Sequence, residues 1–364
     1  MLRSSPGAKR DSMNIAITCG LSDKKLLSKI KPIANIDFVE NIFLFRRRPF
    51  AHPKVTCYSP PRMLAKNILT AELYRILTLV YVCSFKRVDA IMGIYMLLHG
   101  VIAGLVGKVF AKPAIQNLIG KDLHLCLQHP MLMRFVKAAD LVVTRGPCTK
   151  RALTERGVEP NKISHPPNLF RFDQAPKAAH PSPPDYDLLY VGYLEPYKRI
   201  DLLLLSVKKV ADELGTDLRV ALLGDGSSAG NLRRMTKELG IERSIDFLGE
   251  HEDVYPFFPQ AKVFIMTSEA EGLPMAMIEA MSCGLPCIVP DDGDIKTVAK
   301  HEHNALLVPV GDIDGFARSI KRLLTDPELS RRLSLNALQI RRERSYEYSL
   351  ENVTRTWTEL LKGL

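Results

Sequence analysis

This sequence predicts a two-domain α/β protein, two Rossmann-like domains whose parallel sheets face each other across a cleft. Three observations predict it. At 364 residues the chain is longer than one hydrophobic core ordinarily serves. Short apolar runs alternate with helical patterns along nearly its whole length, the signature of parallel strands joined by crossover helices. The alternation breaks once, over residues 173–185, where Pro176, Pro181, Pro183 and Pro184 crowd together with Ala, His and Ser in a stiff linker. The predicted domains are therefore 13–172 and 186–344. A polar tail, 1–12, is expected to be disordered, and a last helix occupies 345–364.

In the first domain the strands are read at 13–20, 39–45, 54–58, 89–98, 113–119 and 141–144. Helices are read at 22–33, 63–85, 101–110, 131–139 and 148–156. The 63–85 helix places Leu64, Ile68, Leu69, Leu73, Ile76 and Leu77 near one face. In the second domain strands fall at 188–192, 217–223, 244–247, 261–266, 287–290 and 305–308. The helices between and after them are 200–214, 231–239, 254–259, 275–282, 313–324 and 328–342. The final helix, 349–361, carries the single Trp, Trp357. Ligands of such sheets bind beyond the carboxyl ends of the strands.

Composition narrows the class. Hydrophobic content of 46% and charged content of 25% are ordinary for a globular protein. The net charge of +10 is lopsided: residues 1–175 hold 27 Lys+Arg against 11 Asp+Glu, and the rest hold 23 against 29. A basic first half is suited to an anionic partner such as a membrane surface or a lipid phosphate. No nucleic-acid-binding motif is present. The seven cysteines are scattered, odd in number and without a CxxC pair, which reads as free thiols in a reducing compartment. The long uncharged run 90–107 contains four Gly and His99, so it reads as strand, turn and helix rather than as a membrane span.

The chemistry concentrates at 261–286. A buried strand (261–266) runs into a turn at Gly272 and Pro274, then into a Met/Ala/Ile/Glu helix over 275–282, closed by Gly284 and Pro286. The free N–H groups at such a helix start make an anion site. Glu271 and Glu279 flank it. Carboxylates do not bind a phosphate, but they can hold hydroxyls on either side of one. That combination suggests a nucleotide-sugar pocket. At the start of the second domain, Gly192 ends a strand and Lys198-Arg199 precede a helix, two cations suited to a diphosphate.

Taken together, Val191-Gly192 with Lys198, Gly224-Asp225-Gly226, Phe247-Leu248-Gly249, and Glu271-Gly272-Leu273-Pro274 with Glu279 and Cys283-Gly284 resemble the retaining GT-B glycosyltransferases of family 4, the "group 1" transferases. Asp291-Asp292-Gly293-Asp294 and 304–309 extend the likeness, which is strong over about 186–345 and weak over 13–170. The resemblance implies an acceptor-side first domain, a donor domain second, and a last helix crossing back to the first. It implies that Lys198, with Arg199, grips the donor diphosphate, and that backbone groups of Gly272, Leu273, Pro274 and Met275 line the same phosphates. It gives Glu279 the ribose, Glu271 the transferred sugar, Leu248 and Gly249 the base, and Gly20 a place beside the donor. Lys198 and Glu271 are the expected catalytic residues, with His99, at the end of a first-domain strand, as a further candidate.

The chain departs from the pattern at Tyr193, where Arg is usual, at the lone Gly20, and at Ile119, where His is usual. The implied activity is retaining transfer of a hexose-type sugar from a nucleotide-diphosphate sugar, UDP preferred over GDP, to a lipid-linked, polysaccharide or small-molecule acceptor. No metal or other cofactor is expected. The expected location is the cytoplasm, with peripheral contact at the inner face of an anionic membrane. Alternatives are a GT-B epimerase or phosphorylase, or a non-catalytic sugar-nucleotide-binding protein.

Overall fold

The structure is a computed structural model that describes residues 12–119, 122–175 and 184–364. Most of the predicted disordered tail, the centre of the Pro-rich linker and Gly120-Lys121 lie outside the described residues. The chain divides into two compact units. One runs to Phe170 and includes Tyr346–Leu364; the other is Arg171–Ser345.

The first unit is built on a seven-stranded parallel sheet. Its strands are β1 (Met13–Thr18), β2 (Val39–Phe45), β3 (Val55–Tyr58), β4 (Ala90–Ile94), β5 (Ala114–Asn117), β6 (Leu141–Val143) and β7 (Ile163–Ser164), in the order β3-β2-β1-β4-β5-β6-β7. The central strands are apolar on both faces because helices cover both, as an all-parallel sheet requires. The last helix, Leu350–Lys362, belongs to this unit. Its Val353, Trp357 and Leu361 join the core cluster of Leu26, Ile30 and Ile33 from helix Asp23–Ala34.

The second unit repeats the plan with six parallel strands: β8 (Tyr186–Val191), β9 (Val220–Leu223), β10 (Ile245–Gly249), β11 (Ala261–Ile265), β12 (Cys287–Pro290) and β13 (Ala305–Val308), in the order β10-β9-β8-β11-β12-β13. The order reverses beside β8, so β8 and β11 are adjacent. The loops that follow them therefore emerge side by side, at the switch point where such sheets take ligands.

Several elements differ from the sequence reading, each for a local reason. The strand predicted to reach residue 98 stops at Ile94, because Tyr95 and Leu98 adopt positive φ (74° and 69°) and the chain turns through Met96–Gly100. The long helix 63–85 is two, Arg62–Ala65 and Ile68–Phe85. Asn67 divides them by capping the second, its side chain accepting from Leu69 N–H at 2.8 Å. Helix Asp122–Gln128 was missed, since Leu123, Leu125 and Leu127 alternate like a strand. So was β7, whose two residues are too few for any periodicity.

Candidate active site

The site in the second unit begins with a close backbone approach. After β8 the chain turns at Gly192 (φ 156°), and after β9 it turns at Gly224 (φ 143°). A Cβ at Gly224 would lie 1.8 Å from the Gly192 carbonyl oxygen, so only glycine lets these two loops meet. Leu194 N–H donates to Asp225 O at 3.0 Å, and the Ser227 hydroxyl donates to Glu195 at 2.7 Å, which ties the loops together. The chain then passes Lys198 and Arg199 into helix Ile200–Leu214. Arg199 sits in the left-handed region (φ 50°, ψ 45°), an uncommon conformation for a residue with a side chain. The buried Thr267 hydroxyl stabilises this bend by donating to the Arg199 carbonyl at 2.8 Å.

The β11 loop brings the opposite charge. Lys198 Nζ forms an ion pair with Glu271 Oε1, and both side chains are largely buried, at 14% and 6% exposure. Glu271 N–H donates to Asp292 Oδ2 at 3.2 Å. Asp292 comes from the loop after β12, and burial raises its pKa. Gly293 (φ 47°) packs so close that a Cβ there would meet the Glu271 carbonyl oxygen at 2.7 Å. Glu271 is thus positioned by its own loop and by the next one along the sheet. Helix Met275–Ser282 follows, with Pro274 preceding it in an extended conformation (φ −74°, ψ 123°). Gly272 and Pro274 are buried, and Leu273, Met275 and Glu279 are half-buried.

The arrangement places a cation, a carboxylate and the open end of a helix around one turn. Arg199 is held differently. Its guanidinium is engaged by Asp201 at 2.9 Å and Glu269 at 3.4 Å, and the hydrogen bond to Asp201 raises its pKa. Glu279, inside the helix, helps to raise the pKa of Tyr255, after burial itself. Leu248 and Gly249 end β10, where Gly224 N–H donates to Gly249 O at 2.7 Å, joining the proposed base-binding loop to the glycine turn. Asp292 and Glu269 are the positions that sequence reasoning gave no role. The Asp291-Asp292-Gly293-Asp294 run was the signal for the first, and the second had none.

The first unit holds its own polar cluster. His99 follows β4 and is largely buried. Arg75 Nη1 donates to His99 Nδ1 at 2.5 Å, and Thr18 Oγ1 lies 3.2 Å from the same nitrogen. The same Arg75 nitrogen lies 3.3 Å from His99 Nε2, so the guanidinium faces both ring nitrogens. A Cβ on Gly20 would be 3.1 Å from that Nε2, which puts the lone glycine of the β1 turn directly beside the histidine. Burial, then the Arg75 charge, depress the His99 pKa to about 3. Arg75 also pairs with Glu72. His124, the other nearby histidine, is exposed on helix Asp122–Gln128 and contacts Gln128 at 2.7 Å.

Two parallel-sheet Rossmann-like units of this kind make the GT-B fold. The solved structure of Anabaena HepE in complex with UDP and glucose matches with a TM-score of 0.76 at 18% identity, covering 97% of this chain and 100% of that one. Residues 172–339, within the second unit, match the family model of the glycosyl transferases group 1. An uncharacterized glycosyltransferase of Haemophilus influenzae is 28% identical over 229 residues, 62% of this chain and 62% of that protein. N-acetyl-alpha-D-glucosaminyl L-malate synthase of Bacillus anthracis is 31% identical over 160 residues, 44% of this chain and 40% of that protein. The matches thus span from 40% to 62% of these relatives' length.

Proposed function

We propose that this protein is a retaining glycosyltransferase that moves a hexose-type sugar from a nucleotide-diphosphate sugar, UDP before GDP, to an acceptor. The observation that carries the reading is the Lys198–Glu271 pair at the start of helix Met275–Ser282, inside the stretch that matches the group 1 transferases. Breaking a sugar–diphosphate bond leaves negative charge on the departing phosphate. Lys198 and the N–H groups at the helix start are fixed donors for that charge in a water-poor site, the kind of preorganised stabilisation that lowers such barriers most. When the donor binds, its phosphates compete with Glu271 for Lys198, and Glu271 is freed to accept from hydroxyls of the sugar. Glu279 holds the ribose, and the Leu248-Gly249 turn receives the base. Retention follows from attack on the face the phosphate leaves, with the phosphate oxygen taking the acceptor's proton. The reading invokes neither a metal nor a cofactor. The solved complex of HepE with UDP and glucose supports the choice of donor class.

The protein is further proposed to work on the cytoplasmic side, in peripheral contact with an anionic membrane. Helix Ile68–Phe85 is the one helix among the described residues long and apolar enough to cross a membrane by length and composition. It lies against its own unit, burying Ala71, Arg75, Leu79, Val82 and Cys83. Its other side exposes Ile68, Leu69, Leu73, Leu77, Tyr81 and Phe85. Exposed Arg62 and Lys66 stand just before it, and Lys86 and Arg87 just after. An apolar strip with cations at both ends matches an anionic bilayer surface.

The transfer reading is tested by release of nucleoside diphosphate from UDP- and GDP-sugars with candidate acceptors. Lys198→Ala should lower turnover at least a hundredfold, in the range seen when one charge-stabilising donor is removed, and Glu271→Ala should lower it by removing the acceptor for the sugar hydroxyls. Unchanged turnover in both would place the chemistry elsewhere. Sedimentation with anionic vesicles at low salt tests the membrane face; binding that survives Leu69→Asp/Leu73→Asp would exclude that helix.

A further inference from the structure

A second polar site lies wholly within the first unit, at the carboxyl ends of β5, β6 and β7. Asn117 is the last residue of β5, Arg145 stands two residues beyond β6, and Asn168 follows β7 after Pro166-Pro167. Lys29 reaches the same point from helix Asp23–Ala34. With Val353 and Trp357 of the last helix these residues line a small cleft.

The charges in the cleft are unbalanced. Lys29 Nζ and Arg145 Nη1 both donate to one neutral acceptor, Asn168 Oδ1, the arginine at 2.5 Å. Among the described residues neither cation has a carboxylate within ion-pair distance. Like charges this close, away from bulk water, repel. Burial and then the Arg145 charge push the Lys29 pKa well below its ordinary value, and burial brings Arg145 down to about 10. Asn117 adds a third polar group. It is 2% exposed and its Oδ1 has no hydrogen-bond partner. Rotating an amide by 180° exchanges oxygen for NH2, so this side chain can donate as readily as accept. Two cations and an amide thus converge on a cleft walled by an indole; the Asp122 carboxylate acts on Arg145 only through space, without an ion pair among the described residues.

We propose that this cleft binds an anionic group, a carboxylate or a phosphate, and that it recognises an acidic acceptor. The second half rests on the transferase reading above; the first does not. An anion between Lys29 and Arg145 removes their repulsion and gains charge-assisted hydrogen bonds, for which the guanidinium's planar fork is well shaped. The position fits a substrate, since the carboxyl ends of parallel strands are where these sheets take ligands. Transfer to a hydroxyl near such a group would yield a glycoside that keeps the acid. The acceptor class is thereby narrowed to sugar acids, hydroxy acids or phosphorylated alcohols.

Trp357 is the only tryptophan of the chain and lines the cleft, so its fluorescence reports the site in the full-length protein. The protein is titrated with inorganic phosphate and with succinate at constant ionic strength, against sodium chloride. A saturable change in Trp357 emission is expected with at least one of them. Lys29→Gln and Arg145→Gln should each weaken it roughly 10- to 100-fold, the effect of losing one charge-assisted hydrogen bond. Lys198→Ala, in the other unit, should leave it unchanged, which separates this cleft from the proposed donor diphosphate site. Saturation by phosphate alone or by succinate alone supports the proposal and selects the acid. A response no different from chloride overturns it, as does a saturable response whose midpoint is the same in both variants. Binding of UDP and GDP, followed in parallel by thermal shift, keeps the two readings apart. UDP or GDP binding without anion binding refutes this inference alone; anion binding without binding of either nucleotide refutes the transferase reading, and the acceptor half with it, and leaves the anion site standing.

Discussion

Removing one partner of the Lys198–Glu271 pair tests how the second unit is held together as well as how it works. Glu271 is 6% exposed and Lys198 14%. Lys198→Met leaves the Glu271 carboxylate in its pocket without a cation. Breaking a fully buried pair in this way costs about 3–5 kcal/mol. The lysine keeps some contact with solvent, so the expected cost is nearer ~2–4 kcal/mol. For a domain of this size, each kcal/mol moves the unfolding midpoint by roughly 2–4 °C, a total fall on the order of 4–16 °C. Glu271→Gln in the Lys198→Met background removes the stranded charge and should recover at least ~1.5 kcal/mol of the loss. The assay is urea unfolding of wild type, both single variants and the double variant, followed by far-ultraviolet circular dichroism. The coupling energy comes from the double-mutant cycle. A coupling below about 0.5 kcal/mol would refute the claim that these side chains act as one buried unit. The double variant should regain stability but not donor turnover, because stability needs the charges matched and catalysis needs the cation itself.

Two further outcomes follow from the geometry. His99 is held near 3 while an unfolded histidine titrates near 6.5, so the unfolded chain binds a proton that the native one does not. The stability from this site is complete above pH 6.5 and is lost as pH falls towards 3, at up to about 1.4 kcal/mol per pH unit. His99→Asn should flatten the dependence between pH 7 and 5 measured by urea unfolding; equal slopes in the two proteins would disprove the burial argument. Gly224→Ala forces a Cβ into the Gly192 carbonyl and should cost about 3 kcal/mol or more, whereas Gly230→Ala, in helix Ala229–Glu238 with open space around it, should stabilise by up to about 1 kcal/mol. Thermal unfolding of the pair decides it, and similar midpoints would contradict the close approach.

Much of this protein was legible in its sequence because the signals were local. Strand–turn–helix at 261–286 announced itself through an apolar run, Gly272 and Pro274, then Met, Ala and Glu, and the structure has β11 followed by helix Met275–Ser282. The second unit's strands were read to within about three residues at each end, since each buried strand is a short apolar block bounded by turn residues. Reading failed where periodicity had too little chain to act on, as in the two residues of β7, or misled, as in the alternating leucines of helix Asp122–Gln128.

The sequence by itself determined the fold class, the strand–helix order and the residue types at the candidate site, because propensity, turn chemistry and burial are properties of neighbouring residues. Only the tertiary structure decided the partners. Lys198 meets Glu271 across 73 positions, Arg75 meets His99 across 24, and Arg145 and Lys29 share Asn168 across 23 and 139. Such contacts arise from the order in which strands sit side by side in a sheet. No local pattern encodes that order; it emerges when the whole core is packed, and the same packing brings Lys29 and Arg145 together on one neutral amide oxygen.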